Sequence, residues 1–284
     1  MAQFTNQAQL SYNNEVVNSN VAVGEILDAV AVTKTAVTQT YTQDDTVVYV
    51  ISIVNSGGTA LQNLTVSDDL GAYTFGGNTL YPLAYTANSV RYYVSGILQP
   101  APVENPGPPL SFTGISIPAN GNATLVYETT LTQYAPLGVA DSVTNTVTVS
   151  GGNIPTPVTA EETVAPAQAP DLTITKSIDP IPVSDGDRVT YTFVIQNYGN
   201  TPAVASDNAS VTDTFNPVLT GITVSLNGTA WTAGSDYNYS ETTGLFVSVP
   251  GQITVPAAAY TQDPTTGIWS VIPGVSTLVV TGTI

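Results

Sequence analysis

The sequence predicts an all-β protein built as two β-sandwiches in tandem, and three observations carry that expectation. Short apolar/polar alternations rich in Val and Thr, punctuated by 20 Pro and 23 Gly, run through all 284 residues without helix-like periodicity beyond a turn or two. Blocks of sequence recur: AVTKTAV at 31–37 returns as TITKSID at 173–179, VVYVISIVNSGGTA at 47–60 as VTYTFVIQNYGNTP at 189–202, and LTVSDDL at 64–70 as SVTDTF at 210–215. In the first copy ATLVYETTLTQY at 123–134 is followed by SVTNTVTVSGG at 142–152; in the second, STLVVTGTI at 276–284 matches the former and nothing follows it. The pattern that should follow stands at the front, as QFTNQAQLSYN at 3–13.

Taken in order, residues 1–28 read as an N-terminal donor strand segment: an Asn-bearing strand, a loop, and a second apolar run, VVNSNVAVGEI, at 16–26. Residues 29–165 read as the first sandwich, and 166–284 as a second one lacking its final strand. Between the copies, APAQAPD at 165–171 has the composition of a linker. DAVA at 28–31 leaves the front segment only a short tether, at ~3.3–3.6 Å per residue, to reach past a whole sandwich to its own second domain. Completion by a neighbouring molecule is the easier geometry. It predicts a head-to-tail homopolymer, that is, a filament.

Composition narrows the chemistry. The chain has no Cys and no His, which removes disulfides, thiol nucleophiles, the usual zinc ligands and every Ser-His or Cys-His arrangement. Four basic residues against 21 acidic ones give a net charge of -17, so nucleic acid and anionic membrane surfaces are poor partners. The opening MAQFTNQAQL has neither the basic region nor the apolar core of a signal peptide, and no run approaches a membrane-spanning length. Neither a cofactor nor a metal is expected. The acidic loops at 43–45 and 184–187 fall short of the EF-hand pattern and read as hairpin turns rather than calcium sites. The aromatic cluster YPLAYTANSVRYY at 81–93 reads as core and cross-strand packing more readily than as a ligand groove.

Alternation then sorts the strand faces. Val30, Val32, Lys34 and Ala36 share a face, as do Leu172, Ile174, Lys176 and Ile178, so the chain's two lysines occupy one repeat position and are expected to point inward. Val143, Asn145, Val147 and Val149 share another face, matched at the front by Phe4, Asn6, Ala8 and Leu10. Leu64, Val66, Asp68 and Leu70, and likewise Ala209, Val211, Asp213 and Phe215, add an aspartate to each set. Buried charges cost several kcal/mol unless they serve one another, so each Lys, Asp and Asn should be neighbours. Such a trio permits a Lys–Asn isopeptide bond: an apolar site favours the neutral amine as nucleophile, and a protonated Asp polarises the Asn carbonyl and relays protons as ammonia leaves. The alternative is a hydrogen-bonded network with no covalent bond.

The blocks VTKTAV, TVVYVISIVNSGG, LTVSDDL and VTNTVTV, with TITKSI, RVTYTFVIQN and VTDTF, resemble the immunoglobulin-like repeats of bacterial surface proteins called the domain of unknown function 11 family. The Lys/Asp/Asn set is also similar to that of isopeptide-bonded Gram-positive adhesin and pilin domains. The resemblance implies immunoglobulin-like sandwiches on the surface of a bacterial cell or spore. It implies that Lys34 and Asn145 bond within the chain with Asp68 as proton relay, while Lys176 and Asp213 await an Asn; a donated front strand would bring Asn6 there, making that bond interchain. The expectation is therefore a structural, self-associating subunit rather than an enzyme. A ligand-binding adhesin module of a larger surface protein is the alternative, and a glycoside hydrolase drawing on the acidic residues is a third reading that no motif supports.

Overall fold

The computed structural model describes residues 2–26, 29–152 and 154–284, and it is all-β: the only helix among them is a single 3-10 turn at Ala205–Asp207. Strands β1 (Ala2–Asn6), β2 (Gln9–Tyr12), β3 (Glu15–Asn18) and β4 (Ala22–Ile26) form one long hairpin, β1 on β4 and β2 on β3, joined to no other strand. Every residue from Thr5 to Val23 is exposed, Leu10, Val16, Val21 and Val23 among them. An isolated hairpin is marginal in water, so this one has an unburied apolar side in the single chain.

The first sandwich opens with β5 (Val30–Ala36), β6 (Thr40–Tyr41), β7 (Thr46–Asn55) and β8 (Leu61–Asp68). Six short strands follow: β9 (Tyr73–Phe75), β10 (Asn78–Leu80), β11 (Leu83–Tyr85), β12 (Arg91–Val94), β13 (Ile97–Gln99) and β14 (Val103–Asn105). It closes with β15 (Leu110–Ile117), β16 (Gly121–Leu131), β17 (Val143–Gly151) and β18 (Val158–Pro166). One sheet runs β13-β12-β16-β7-β5 and the other β14-β15-β8-β17-β18-β6. The period-2 pattern decides which side chains fill the space between them. Val47, Tyr49, Ile51 and Ile53 of β7, and Ala123, Leu125 and Tyr127 of β16, are completely buried against Leu64, Val66, Phe112, Val147 and Val149 of the other sheet. The aromatic cluster at 81–93 packs as expected: Tyr85 meets Phe112 edge-on, and the Tyr92 hydroxyl donates to Ser116 O at 2.7 Å.

The second sandwich comprises β19 (Leu172–Asp179), β20 (Arg188–Asn197), β21 (Thr212–Thr214), β22 (Thr220–Leu226), β23 (Thr229–Ala230), β24 (Tyr237–Tyr239), β25 (Leu245–Ser248), β26 (Ala259–Gln262), β27 (Trp269–Ile272) and β28 (Gly274–Thr283). Its sheets are β19-β20-β28-β22-β23 and β21-β25-β24, around a core of its own that includes Val189, Phe215, Leu219, Phe246, Leu278 and Val280. The repeat holds at the level of single hydrogen bonds. Asn55 Nδ2 donates to Thr59 O and Pro118 O, and Asn197 Nδ2 to Thr201 O and Pro256 O. The acidic turns match too, Asp45 accepting from Thr42 N at 2.6 Å and Asp187 from Ser184 N at 2.7 Å, each aspartate reaching back three residues to close its turn. No gap therefore separates Lys34 and Asn55 from Lys176 and Asn197. Leu131 N on Asp45 O and Ile284 N on Asp187 O fix β16 against β28 in the same way, which aligns Gly282 with Thr129 and not with an Asn strand.

Two differences break the repeat. Among the described residues no strand of the second sandwich corresponds to β17 and β18, so one side of β21 is free. And where Ala119 and Asn120 alone link Pro118 to Gly121, residues 257–273 link Pro256 to Gly274 and form the β26–β27 hairpin. That hairpin folds back on the first sandwich: Tyr260 and Val271 pack on its core, Trp269 N donates to Gln133 O at 3.0 Å, and Gln262 Nε2 to the Tyr73 hydroxyl at 2.9 Å. The expected linker at 165–171 is likewise tied down. Ala165 and Pro166 belong to β18, which pairs in parallel with β6, and Gly199 lies so close that a Cβ there would stand 2.1 Å from Ala169 O.

Candidate cross-linking sites

In the first sandwich β5 aims Lys34 across the core at β8 and β17. The lysine is 3% exposed, and its Nζ donates to Asp68 Oδ2 at 2.6 Å. Asp68, fully buried, also accepts from the Tyr127 hydroxyl at the same oxygen and from Leu70 N at Oδ1, 2.9 Å away. Asp68 stands opposite Val147 in the β8–β17 ladder, which places Asn145 two residues along on the same inward face, a diagonal neighbour. Asn145 is fully buried, and neither its Oδ1 nor its Nδ2 has a hydrogen-bond partner. The Tyr49 hydroxyl, which faces Asn145, is buried and without a well-formed hydrogen bond too. An unpaired buried polar group costs about 1–3 kcal/mol, so a carboxamide without a well-formed partner, diagonal to the aspartate that holds Lys34, is a group in want of a bond. Burial lowers the Lys34 pKa, opposed by Asp68, and burial raises that of Tyr127, helped by Asp68. The direction at Lys34 favours the neutral, nucleophilic amine.

The second site has the same parts in a different state. Lys176 pairs with Asp213 and stands over the rings of Tyr191, Phe215 and Phe193 at 4.5, 5.2 and 5.4 Å. Its side chain is 39% exposed and that of Asp213 19%, so the expectation that both lysines point into a closed core holds for Lys34 alone. The physical reason is the absent cover: the strands that bury Lys34 are β17 and β18. The structure does not bring Asn6 to this site within one chain, because β1 pairs with β4 only and Asn6 is exposed. The Phe4 side chain, expected on the same face, lies outside the described residues.

Sequence reasoning missed Tyr127. Alternation with Ala123 and Leu125 was the signal that placed it inward, and only the fold places its hydroxyl on Asp68. Val280 takes its position in the second sandwich, where the aspartate has no such donor. Also missed was Glu162, opposite Asn145 in the β17–β18 ladder, whose Oε1 accepts from Gln39 Nε2 at 2.7 Å and Ala36 N at 3.3 Å.

No protein-family profile and no curated protein sequence matches the chain. Among solved structures it is similar to the pilus backbone RrgB of Streptococcus pneumoniae, with 13% identity and a TM-score of 0.36 over 86% of this chain and 55% of that one. It is similar to BcpA, the major pilin subunit of Bacillus cereus, with 11% identity and a TM-score of 0.36 over 95% of this chain and 73% of that one. For the collagen adhesin of S. aureus the values are 11% identity and 0.31, over 55% of each chain. The chain thus spans about half the length of the S. pneumoniae pilus backbone and of the adhesin. Among the described residues no helix is long and apolar enough to cross a membrane.

Proposed function

We propose that the chain is the structural subunit of an extracellular fibre on a bacterial cell or spore surface, of the domain of unknown function 11 type. Subunits join head to tail as the N-terminal hairpin of one copy fills the place of β17 and β18 in the second sandwich of the next. One observation carries this reading. The inward side of the second sandwich is open at and after β19 where that of the first is closed: Ile174 on β19 is 51% exposed while its equivalent Val32 on β5 is half-buried, and Val183 just beyond β19 is 37% exposed while its equivalent Tyr41 on β6 is 1% exposed. The chain carries an unpartnered hairpin with the sequence pattern of the absent strands.

Two isopeptide bonds follow from the same reading. In each, neutral Lys Nζ attacks Asn Cγ, the Nζ–Cγ bond forms as the Cγ–Nδ2 bond breaks, and the aspartate moves protons from the amine to the departing ammonia. Lys34, Asp68 and Asn145 react within the chain, and Lys176 and Asp213 with Asn6 of the incoming hairpin. Burial against the hairpin converts a solvated Lys176 ion pair into a dry site like that of Lys34, so docking is what starts the second reaction. A few apolar side chains at about 1.5–3 kcal/mol each lie within the roughly 4–15 kcal/mol that association costs, so the bond rather than the docking makes the joint permanent. The acidic residues serve turns and this relay; no substrate other than the chain itself is assigned to them.

Electron microscopy of the purified protein should show fibres, and boiled samples should run as ladders on denaturing gels. Mass spectrometry of the digested ladder should yield a branched peptide joining the region of Asn6 to that of Lys176. A monomeric protein without fibres or ladder would leave the adhesin-module reading in its place.

A further inference from the structure

Two hairpins in this chain carry the pattern that closes a sandwich, and two sandwiches need closing. Nothing in the shared alternation says which goes where. The distinguishing contact lies opposite the asparagine. In the first sandwich Glu162 stands across the ladder from Asn145 and is met by Gln39 Nε2 at 2.7 Å and Ala36 N at 3.3 Å. The unbroken alignment from Lys34 to Asn55 puts Ile181 at the position of Gln39 and Ile178 at that of Ala36. Ile181 is 76% exposed, the most exposed of the large apolar side chains described. The N-terminal hairpin is apolar at the matching place: Asn6 faces Ala22 across the β1–β4 ladder.

We infer that residue 181 is a specificity-determining position that admits the N-terminal hairpin of a second copy to the second sandwich and refuses the 143–166 hairpin, with Gln39 and Glu162 as the reciprocal lock in the first. The inference rests on the strand-donation reading. Its physical basis is a double mismatch. A 143–166 hairpin in the second sandwich would press the Glu162 carboxylate against Ile181 with its side-chain donor gone. An N-terminal hairpin in the first would set the methyl of Ala22 beside the Gln39 amide, which would keep its bond to Ala36 O but lose its carboxylate partner. Polar meets polar within the chain and apolar meets apolar between chains, so each correct pairing is favoured by rejection of the wrong one.

The test uses the full chain, with assembly followed by light scattering and by ladders after boiling. Ile181→Gln should leave subunit melting unchanged, because the side chain is exposed there, yet slow polymerisation about tenfold, the scale of one amide set against an apolar partner in place of a matched contact. Ala22→Glu in the same chain should restore most of the rate, whereas Ala22→Glu alone should be slow. As chain terminators, a synthetic peptide of residues 1–26 should inhibit the parent and one of residues 143–166 should not, a preference that Ile181→Gln weakens. Parent-like assembly of Ile181→Gln, or a double variant no faster than Ile181→Gln alone, overturns the code while strand donation stands. A parent protein that neither scatters nor ladders overturns strand donation itself.

Discussion

Lys34 and Lys176 occupy one position of one repeat, lie over equivalent tyrosines, Tyr49 and Tyr191, and pair with equivalent aspartates, yet one is 3% exposed and the other has a side chain 39% exposed. The lysine strand and its neighbour β7 or β20 are alike in the two sandwiches. What differs is the second sheet, which continues past β8 into β17 and β18 but, among the described residues, ends at β21. Burial of such a lysine is thus a property of the strands laid over it, which are present over Lys34 and not, among the described residues, over Lys176.

The largest effect should come from removing the waiting strand's supply. Deletion of residues 1–26 should abolish fibres and leave a second sandwich with a bare sheet edge, prone to aggregation. Adding residues 1–26 as a peptide should raise its melting temperature. Fibres of unchanged appearance from the truncated chain would break the comparison at its root, since the second site would then be filled by something else.

Next come the reacting groups. Asn6→Ala, Lys176→Ala or Asp213→Ala should each remove the ladder entirely while fibres persist under native conditions, because docking and bonding are separate steps. In the first sandwich, the parent's intact mass should be short by one ammonia, and Asp68→Ala should restore the full mass. The same variant should destabilise that sandwich by about 3–5 kcal/mol, as expected when a buried pair loses one partner. A full mass in the parent would reduce the first site to a polar network.

Much of this was legible in the sequence because β-strands alternate strictly. Lys34, Asp68 and Asn145 were each placed on a buried face by their Val and Leu neighbours, and the repeat alone pointed to a second sandwich without counterparts of β17 and β18 among the described residues. Alternation assigns a face, however, and not what covers it, which is why Lys176 read the same as Lys34. Tyr127 and Glu162 act through partners, Asp68 and Gln39, more than fifty residues away in sequence, and no local pattern encodes such pairs. The β26–β27 hairpin and the strand character of Ala165 and Pro166 went unread for the same reason: both are fixed by the neighbouring sandwich or by β6.

A smaller effect concerns the contact between the two sandwiches of one chain. Within a chain the β26–β27 hairpin ties the sandwiches together, whereas the first sandwich has only the exposed Pro118–Asn120 turn at the corresponding corner. Replacing residues 257–273 by Ala-Asn, the turn the first sandwich uses, should leave both cores folded, since none of the fully buried second-core residues lies in the replaced segment. It should broaden the range of inter-sandwich angles seen by small-angle scattering. An unchanged scattering profile would mean that the linker stitched to β6 suffices.

The smallest and most diagnostic effect is on pH dependence. Burial lowers the Lys34 pKa in the folded chain below the 10.5 of an ordinary lysine, so between the two values the unfolded state binds the extra proton. Stability must then rise with pH across that window and be lost as pH falls through it. That holds only while Lys34 is a free amine, because an amide nitrogen does not titrate there. Buried tyrosines act in the opposite sense: burial raises the pKa of Tyr127, so its contribution is lost at high pH. Comparing Asn145→Ala, in which Lys34 stays free, with the parent removes the tyrosines from the comparison below 10.5: burial raises Tyr49 and Tyr127 in both proteins, and losing the Asn145 contact, which lowers Tyr49, only moves Tyr49 further up. The difference in melting temperature between them should narrow as pH climbs from neutrality towards 10.5, while two melting temperatures that rise together across that range would show that Lys34 is a free amine in the parent as well, and so that the parent holds no bond at Asn145.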